Sequence, residues 1–207
     1  MAKLLEKWID ALILPRNPKR KLHVEYIPRT AHFLNVRAVM DLNHWKSFCA
    51  ITHALNGGKC MECGSTQRLE CHERWHYDFT KDALQPYGLD RKSNPRLGVM
   101  KLTGLMTLCH LCHMGKHPGI AKRKGEWEKV NEHLKKVYNL NFIQLAWILR
   151  KAKKRVELQS RYEYKLDFTY LNRNRAYMKA HEKFRKTYNR AFTNDEMKYC
   201  HVDKENE

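Results

Sequence analysis

The chain has 207 residues, of which 40 are lysine or arginine and 22 are aspartate or glutamate, giving a formal net charge of +18. A hydrophobic fraction of 43% with 11% aromatic residues excludes a chain that is disordered throughout. A membrane-spanning helix needs about 20 consecutive apolar residues, and the closest run, Leu4–Leu14, is interrupted by Lys7 and Asp10. This run also lacks a small-residue cleavage site, so we expect an intracellular, cytoplasmic protein that binds polyanions.

The first predicted elements lie in residues 1–56, which we expect to pack on the core as an N-terminal segment. Leu4–Leu14 has helical apolar spacing and ends at Pro15. Leu22–Ile27 alternates loosely enough to predict a short strand. A further helix is expected to start near Asp41 or Asn43 and to stop at Gly57-Gly58.

The central region contains a pattern of paired cysteines. Four of the seven cysteines form two C-x-x-C pairs, Cys60 with Cys63 and Cys109 with Cys112. An odd count without an export signal favours metal over disulfides. Two residues between thiols let both sulfurs face one ion, so the four cysteines predict a closed tetrahedral zinc site with a structural role. Cys49, Cys71 and Cys200 are left over.

Histidines accompany the cysteines. In a strand over residues 68–78, Glu70 and His72 point to the side opposite Leu69 and Cys71. His113 and His117 are four residues apart, so a helical turn would place both imidazoles on one face, where they can bind one divalent ion. Pro118 limits this helix to little more than a turn. His110, between two zinc cysteines, is expected to face solvent.

The second half is helical in its pattern and strongly basic. Helices are predicted over Gly125–Tyr138 and Phe142–Leu149. Residues 150–190 contain 14 basic and 4 acidic residues and no proline or glycine, which favours helix. This run is either a solvated helix face or a surface that contacts nucleic acid. The candidate contacts are Arg150, Lys151, Lys153, Lys154, Arg155, Arg173, Arg175, Lys183, Arg185 and Lys186.

Taken together, the motifs resemble those of a known family. The chain is similar to zinc-stabilised HNH endonucleases of the ββα-metal fold in three features. They are the Cys60–Cys63 pair followed by Gly64 (the first knuckle), a strand ending in His72-Glu73, and the Cys109–Cys112 pair (the second knuckle), which continues into His113 and His117. The run Leu-Glu-Cys-His-Glu-x-Trp-x-Tyr-Asp at residues 69–78 resembles a bacterial and phage subgroup. The resemblance covers about residues 33–140 and implies an α+β fold. It implies a zinc-braced ββα-metal unit over residues 57–140, flanked by helices, with residues 141–207 as a basic helical extension.

The resemblance also implies an activity. A catalytic Mg²⁺ or Mn²⁺ would be held by His72, His113 and His117, and a phosphodiester in DNA would be hydrolysed by a phage-encoded or homing-type enzyme. In the family a histidine acting as base follows the first metal residue, whereas this chain has Glu73. The family's central asparagine corresponds to Gly104. The candidate catalytic residues are therefore His72, Glu73 and His76.

Two other functions are compatible with the same residues. The departures at Glu73 and Gly104 favour a catalytically inactive, zinc-containing nucleic-acid-binding protein, part of a larger assembly. Net charge does not distinguish DNA from RNA, so an RNA-binding protein is a third possibility, although we favour DNA.

Overall fold

A computed structural model describes residues 2–14, 21–40, 42–92 and 94–188, which form a mixed α+β structure with a small sheet. The strands are β1 (Leu69–Asp78), β2 (Leu97–Cys109) and β3 (Glu163–Asp167). The helices are α1 (Ala2–Ile13), α2 (Val36–Val39), α3 (Leu42–Leu55), α4 (His110–Lys116), α5 (Pro118–Arg123), α6 (Trp127–Tyr138), α7 (Phe142–Gln159), α8 (Thr169–Arg173) and α9 (Arg175–Tyr188). Short 3₁₀ helices lie at Arg29–Ala31 and Lys81–Tyr87.

The sheet has the order β1-β2-β3, with β1 antiparallel and β3 parallel to the central strand. The β1–β2 register shifts at one point, where Arg74 faces Gly104 and Trp75 faces Leu102. Thr103 is therefore an extra residue in β2, and its hydroxyl donates to the carbonyl of Arg74 at 3.0 Å. Such a bulge sharpens the local twist. Gly104 lies directly beside it.

Alternation along β1 separates a hydrophobic face from a histidine-bearing face. Cys71, Trp75 and Tyr77 pack against a core built from α3, the sheet, α8 and α9. His72 points to the other face, toward the helix that follows β2 directly. One pleated strand thus contributes both to the core and to the site.

A second core joins α4, α5, α6 and α7. Gly115 in α4 lies so close to α6 that a Cβ on it would meet Leu134 Cδ2 at 2.6 Å. α7 begins with a capping box between Asn141 and Gln144. It also holds α1, because Asp10 accepts hydrogen bonds from α7. The helix after the second knuckle is therefore fixed by its neighbours.

Two secondary-structure predictions were wrong. Residues 21–28 form no strand; Glu25 instead makes a backbone hydrogen bond to Lys116 at the end of α4. Residues 150–190 are not one helical extension, because α7 continues to Gln159 and β3 then joins the central sheet. The reason is tertiary: Tyr164 and Leu166 of β3 are buried against the sheet core. Within the described ranges no helix has the length and apolar character needed to span a membrane.

Candidate metal centres

The four predicted cysteines come together. The Sγ atoms of Cys60, Cys63, Cys109 and Cys112 all lie within 4.8 Å of one another. The first knuckle turns through Gly64, whose φ of +79° is in the left-handed region, and its N–H donates to the carbonyl of Cys60 at 2.8 Å. The second knuckle lies at the junction of β2 and α4. This cluster is suited to hold a zinc ion.

The protonation of the thiols supports this assignment. A hydrogen bond from Cys112 lowers the pKa of Cys60 to about 4, and the same contact raises the pKa of Cys112. Four thiolates packed together repel one another, so full ionisation needs a cation between them. His133 of α6 lies 3.1 Å from Cys112 Sγ through its Nε2. Its cysteine contact was not predicted from the sequence.

A second cluster is formed by three histidines. The possible ligand nitrogens of His72, His113 and His117 lie within 4.8 Å of one another. His72 comes from β1, His113 from α4, and His117 from the residue that ends α4 before Pro118. His72 is only 2% exposed, and within the described part of the chain its buried Nε2 makes no well-formed hydrogen bond. An orphaned nitrogen among imidazoles fits a metal ligand.

Hydrogen bonds set the tautomers of two of these imidazoles. Nδ1 of His117 donates to the carbonyl of Glu25 at 2.8 Å, and Nδ1 of His113 donates to the carboxylate of Glu70 at 2.5 Å. Each leaves Nε2 with its lone pair available for an ion. Burial, with the nearby His72 and His113, lowers the pKa of His117 to about 3. The imidazole of His117 is therefore neutral at physiological pH and able to bind a metal.

Glu70 connects the two clusters. Its carboxylate accepts hydrogen bonds from His113 and, at 2.7 Å, from Nδ1 of His110. The His113 hydrogen bond, followed by the His110 hydrogen bond, outweighs burial and lowers the pKa of Glu70 to about 2. Nε2 of His110 lies 2.9 Å from Glu126. The prediction that His110 faces solvent was wrong, since two carboxylates hold it and it is 8% exposed.

Glu25 lies beside the histidines although no sequence pattern pointed to it. Its Oε2 is 3.3 Å from Nε2 of His72, and its carbonyl binds His117. Burial raises the pKa of Glu25, but His72 and the charge of Lys116 outweigh this, and the net shift is downward. Burial lowers the pKa of His72. The pair thus consists of an ionised carboxylate and a neutral imidazole.

Two of the predicted catalytic residues lie outside the histidine cluster. Glu73 Oε1 accepts from the N–H of Val36 at 3.0 Å, and Oε2 accepts from Nε1 of Trp75 at 2.9 Å. Burial raises the pKa of Glu73 to about 7 in spite of these donors. His76 is exposed. A catalytic role for either residue stays a prediction.

A cleft of about 570 Å³ runs along β1 and contains both Glu73 and the three histidines in its lining. Residues 25–37 form its opposite wall, with Tyr26, Asn35 and Arg37 among them. The bonds from α2 to Glu73 fix this wall against the strand. The histidine cluster therefore opens onto a space that can admit a ligand.

The predicted basic surface is partly used within the fold. Lys151 pairs with Asp10 at 2.5 Å and Lys154 pairs with Glu6 at 3.1 Å, while Arg155 donates to the carbonyl of Val24. These contacts attach α1 and the segment after it to α7. Lys154 and Arg155 are exposed in spite of these contacts, as are Arg150, Lys153 and Arg175. The side chains of Arg173, Lys183, Arg185 and Lys186 lie outside the described part of the chain.

Comparison of the chain with protein-family models, curated proteins and solved structures found no match. The resemblance to HNH endonucleases thus rests on the motif residues. The structure adds that these residues form two compact ligand clusters.

Proposed function

We propose that the protein is a metal-dependent endonuclease of the HNH type that hydrolyses phosphodiester bonds of DNA, by nicking or by cutting both strands. The convergence of His72, His113 and His117 at one end of an open cleft carries this proposal. The neighbouring cysteine cluster has the chemistry of a structural zinc site and holds the junction from which α4 starts. One cluster would thus support the geometry of the other.

The three histidines would hold the catalytic divalent ion through their Nε2 atoms, which hydrogen bonds at Nδ1 leave available in His113 and His117. When bound, such an ion polarises the scissile phosphate and stabilises the leaving 3′-oxygen. Among the candidate bases, Glu73 lines the same cleft and has a pKa near 7, which suits proton abstraction from water at neutral pH. His76 is not part of the cleft lining. Glu73 shares a face of β1 with Trp75, opposite His72, so Glu73 and His76 stay candidates and neither is assigned as the base.

The basic surface would hold the nucleic acid. Arg150, Lys153 and Arg175 are exposed and can contact phosphates. Each phosphate contact steepens the log–log dependence of affinity on salt by about 0.9. Replacing Arg150 and Lys153 by Ala should therefore weaken binding and flatten that slope by up to about 1.8. An unchanged slope would assign these residues to a solvated face.

Cleavage of supercoiled plasmid tests the nuclease proposal. Purified protein with Mg²⁺ or Mn²⁺ should convert the plasmid to nicked or linear forms, and EDTA should stop the reaction. His113→Ala should lose this activity and keep DNA binding, whereas Glu128→Ala, a change at an exposed residue of α6, should still cut. Retarded bands without cleavage at any metal or salt concentration would refute the nuclease and leave a binding protein.

The second candidate is a catalytically inactive, zinc-containing protein that binds DNA or RNA within a larger assembly. One observation favours it: both oxygens of Glu73 already accept hydrogen bonds from Val36 and Trp75, as a purely structural glutamate would. If so, Glu73→Gln would lower stability while no condition gave cleavage by the parent protein. Competition between DNA and RNA duplexes in a retardation assay would then identify its partner.

A further inference from the structure

We propose that Glu25 is the fourth ligand of the histidine centre, and that this centre takes a first-row transition ion such as Mn²⁺ or Zn²⁺ in preference to Mg²⁺. The inference rests on the proposed function in one respect, namely that His72, His113 and His117 bind an ion. Glu25 precedes all the motifs that led to this site and lies in a segment without regular secondary structure.

Three contacts place Glu25 at the cluster. Its N–H donates to the carbonyl of Lys116 at 2.7 Å, and its carbonyl accepts from Nδ1 of His117 at 2.8 Å. These two backbone bonds fix residue 25 against the end of α4. The side chain then reaches His72, with Oε2 at 3.3 Å from Nε2. Backbone and carboxylate thus contact two of the three histidines.

The separation of Glu25 and His72 matches that of two ligands sharing an ion. Among the described residues Nε2 of His72 makes no well-formed hydrogen bond, and its close polar contact is the Glu25 carboxylate oxygen 3.3 Å away. Ligand atoms about 2.1 Å from one metal, at tetrahedral or octahedral angles, lie roughly 3.0–3.4 Å apart. A carboxylate oxygen and an imidazole nitrogen at this distance can share one ion. The Glu25 carboxylate lies outside the compact group of the three histidine nitrogens, so its side chain would turn toward His113 and His117 when the ion binds.

The donor set determines which ion is preferred. Mg²⁺ prefers oxygen ligands in near-ideal octahedral geometry and keeps several waters. Three imidazole nitrogens with one carboxylate suit zinc, manganese, iron or cobalt better. The positive charge of Lys116 is engaged by Glu62 at 2.7 Å, on the side of the first knuckle. The Glu25 carboxylate can thus offset part of the charge of the ion.

Metal titration of the zinc-loaded full chain tests the proposal. Calorimetry should find one further site that binds Mn²⁺ more tightly than Mg²⁺. Glu25→Gln should weaken Mn²⁺ binding by at least about tenfold, because even residues that only support a ligand are worth 10–100-fold. Glu128→Gln, a change of the same kind at an exposed residue of α6, is the matched control and should bind as the parent does.

The absorption spectrum of bound Co²⁺ distinguishes a Glu25 that binds the ion from a Glu25 that only supports His72. At saturation, the visible bands of Co²⁺ in Glu25→Gln should differ from those of the parent, since one ligand has changed. Near-ultraviolet thiolate bands would show whether Co²⁺ has instead entered the cysteine cluster. Circular dichroism checks that the variant is folded, and Glu25→Asp, which keeps the charge but shortens the side chain, provides a second variant.

The outcomes separate this inference from the proposed function. If the parent binds no second ion, the metal centre itself is refuted. If the parent binds and both Glu25 variants show the parent's affinity and cobalt spectrum, only the ligand role of Glu25 is refuted. Tighter binding of Mg²⁺ than of Mn²⁺ would refute the preference for a transition ion.

Discussion

Replacing Glu70 by Gln should weaken the histidine centre without removing any of its ligands. Glu70 accepts from His113 at 2.5 Å and from His110 at 2.7 Å, and an ionised carboxylate can accept both. The amide has one acceptor oxygen and an NH₂ group, so one imidazole N–H would face another donor. Loss of the bond that fixes a metal-binding histidine costs 10–100-fold in affinity, or about 1.4–2.8 kcal/mol.

The loss in free energy of unfolding caused by Glu70→Gln should be smaller than the energy of the Glu70 hydrogen bonds alone suggests. Hydrogen bonds to charged groups contribute about 1.5–3 kcal/mol, but the Glu70 side chain is 35% exposed and water screens it. We expect a loss of about 1 kcal/mol in urea unfolding. Glu126→Gln is the matched control, because Glu126 bonds to Nε2 of His110 and has no bond to His113 among the described contacts.

Calorimetric titration of the zinc-loaded variants with Mn²⁺ gives the decisive comparison. Glu70→Gln should bind less tightly than the parent, whereas Glu126→Gln should lose stability and keep its affinity. Equal affinities for the parent and Glu70→Gln would refute the role of Glu70 in orienting His113. Equal losses in the two variants would show that the effect passes through His110 instead.

Three further predictions concern zinc, a buried ion pair and pH. Cys112→Ser should abolish tight zinc binding at the cysteine cluster and unfold the central region, since a structural zinc supplies about 10–16 kcal/mol. Elemental analysis should find at least one zinc per parent chain, and a folded, zinc-free parent would contradict this. Lys116→Met should lower the free energy of unfolding by about 3–5 kcal/mol, because Lys116 is 3% exposed and pairs with Glu62. Adding Glu62→Gln should recover most of this loss. If the losses of the two single variants in urea unfolding simply add in the double variant, the two residues are not coupled. Because the folded pKa of Glu73 is raised from 4.5 to about 7, its contribution to stability is full below pH 4.5 and lost as the pH rises through 7. Glu73→Gln should remove that part of the pH slope, and parallel slopes would refute it.

The ligand residues themselves could be predicted because their signals are local. Cysteines with two residues between them, and histidines four positions apart on one turn, have spacings that a short backbone segment converts directly into proximity. Alternation along β1 also placed Glu70 and His72 on one side. The structure confirms that the cysteines form one cluster and brings His72 to the two helical histidines.

The partners of these ligands could not be predicted because they come from distant parts of the chain. Glu25 contacts residues 47 and 92 positions away, and nothing in its neighbourhood marks it as a ligand. His110 was expected to face solvent because its position between two zinc cysteines gives no indication of Glu126, which precedes α6 and comes within hydrogen-bonding distance only in the folded chain. Likewise, β3 lies within a basic run whose lack of proline and glycine favours helix, and it becomes a strand because β2 offers an open edge for pairing.

The amino-acid sequence by itself therefore determined the donor types, the two knuckles and the charge of the protein. Tertiary structure alone decided which carboxylates surround the histidines and which lysines and arginines remain exposed. The physical reason is range: ligand spacing depends on a few backbone dihedrals, whereas tautomers, ion pairs and exposure depend on elements brought together by burial of two hydrophobic cores.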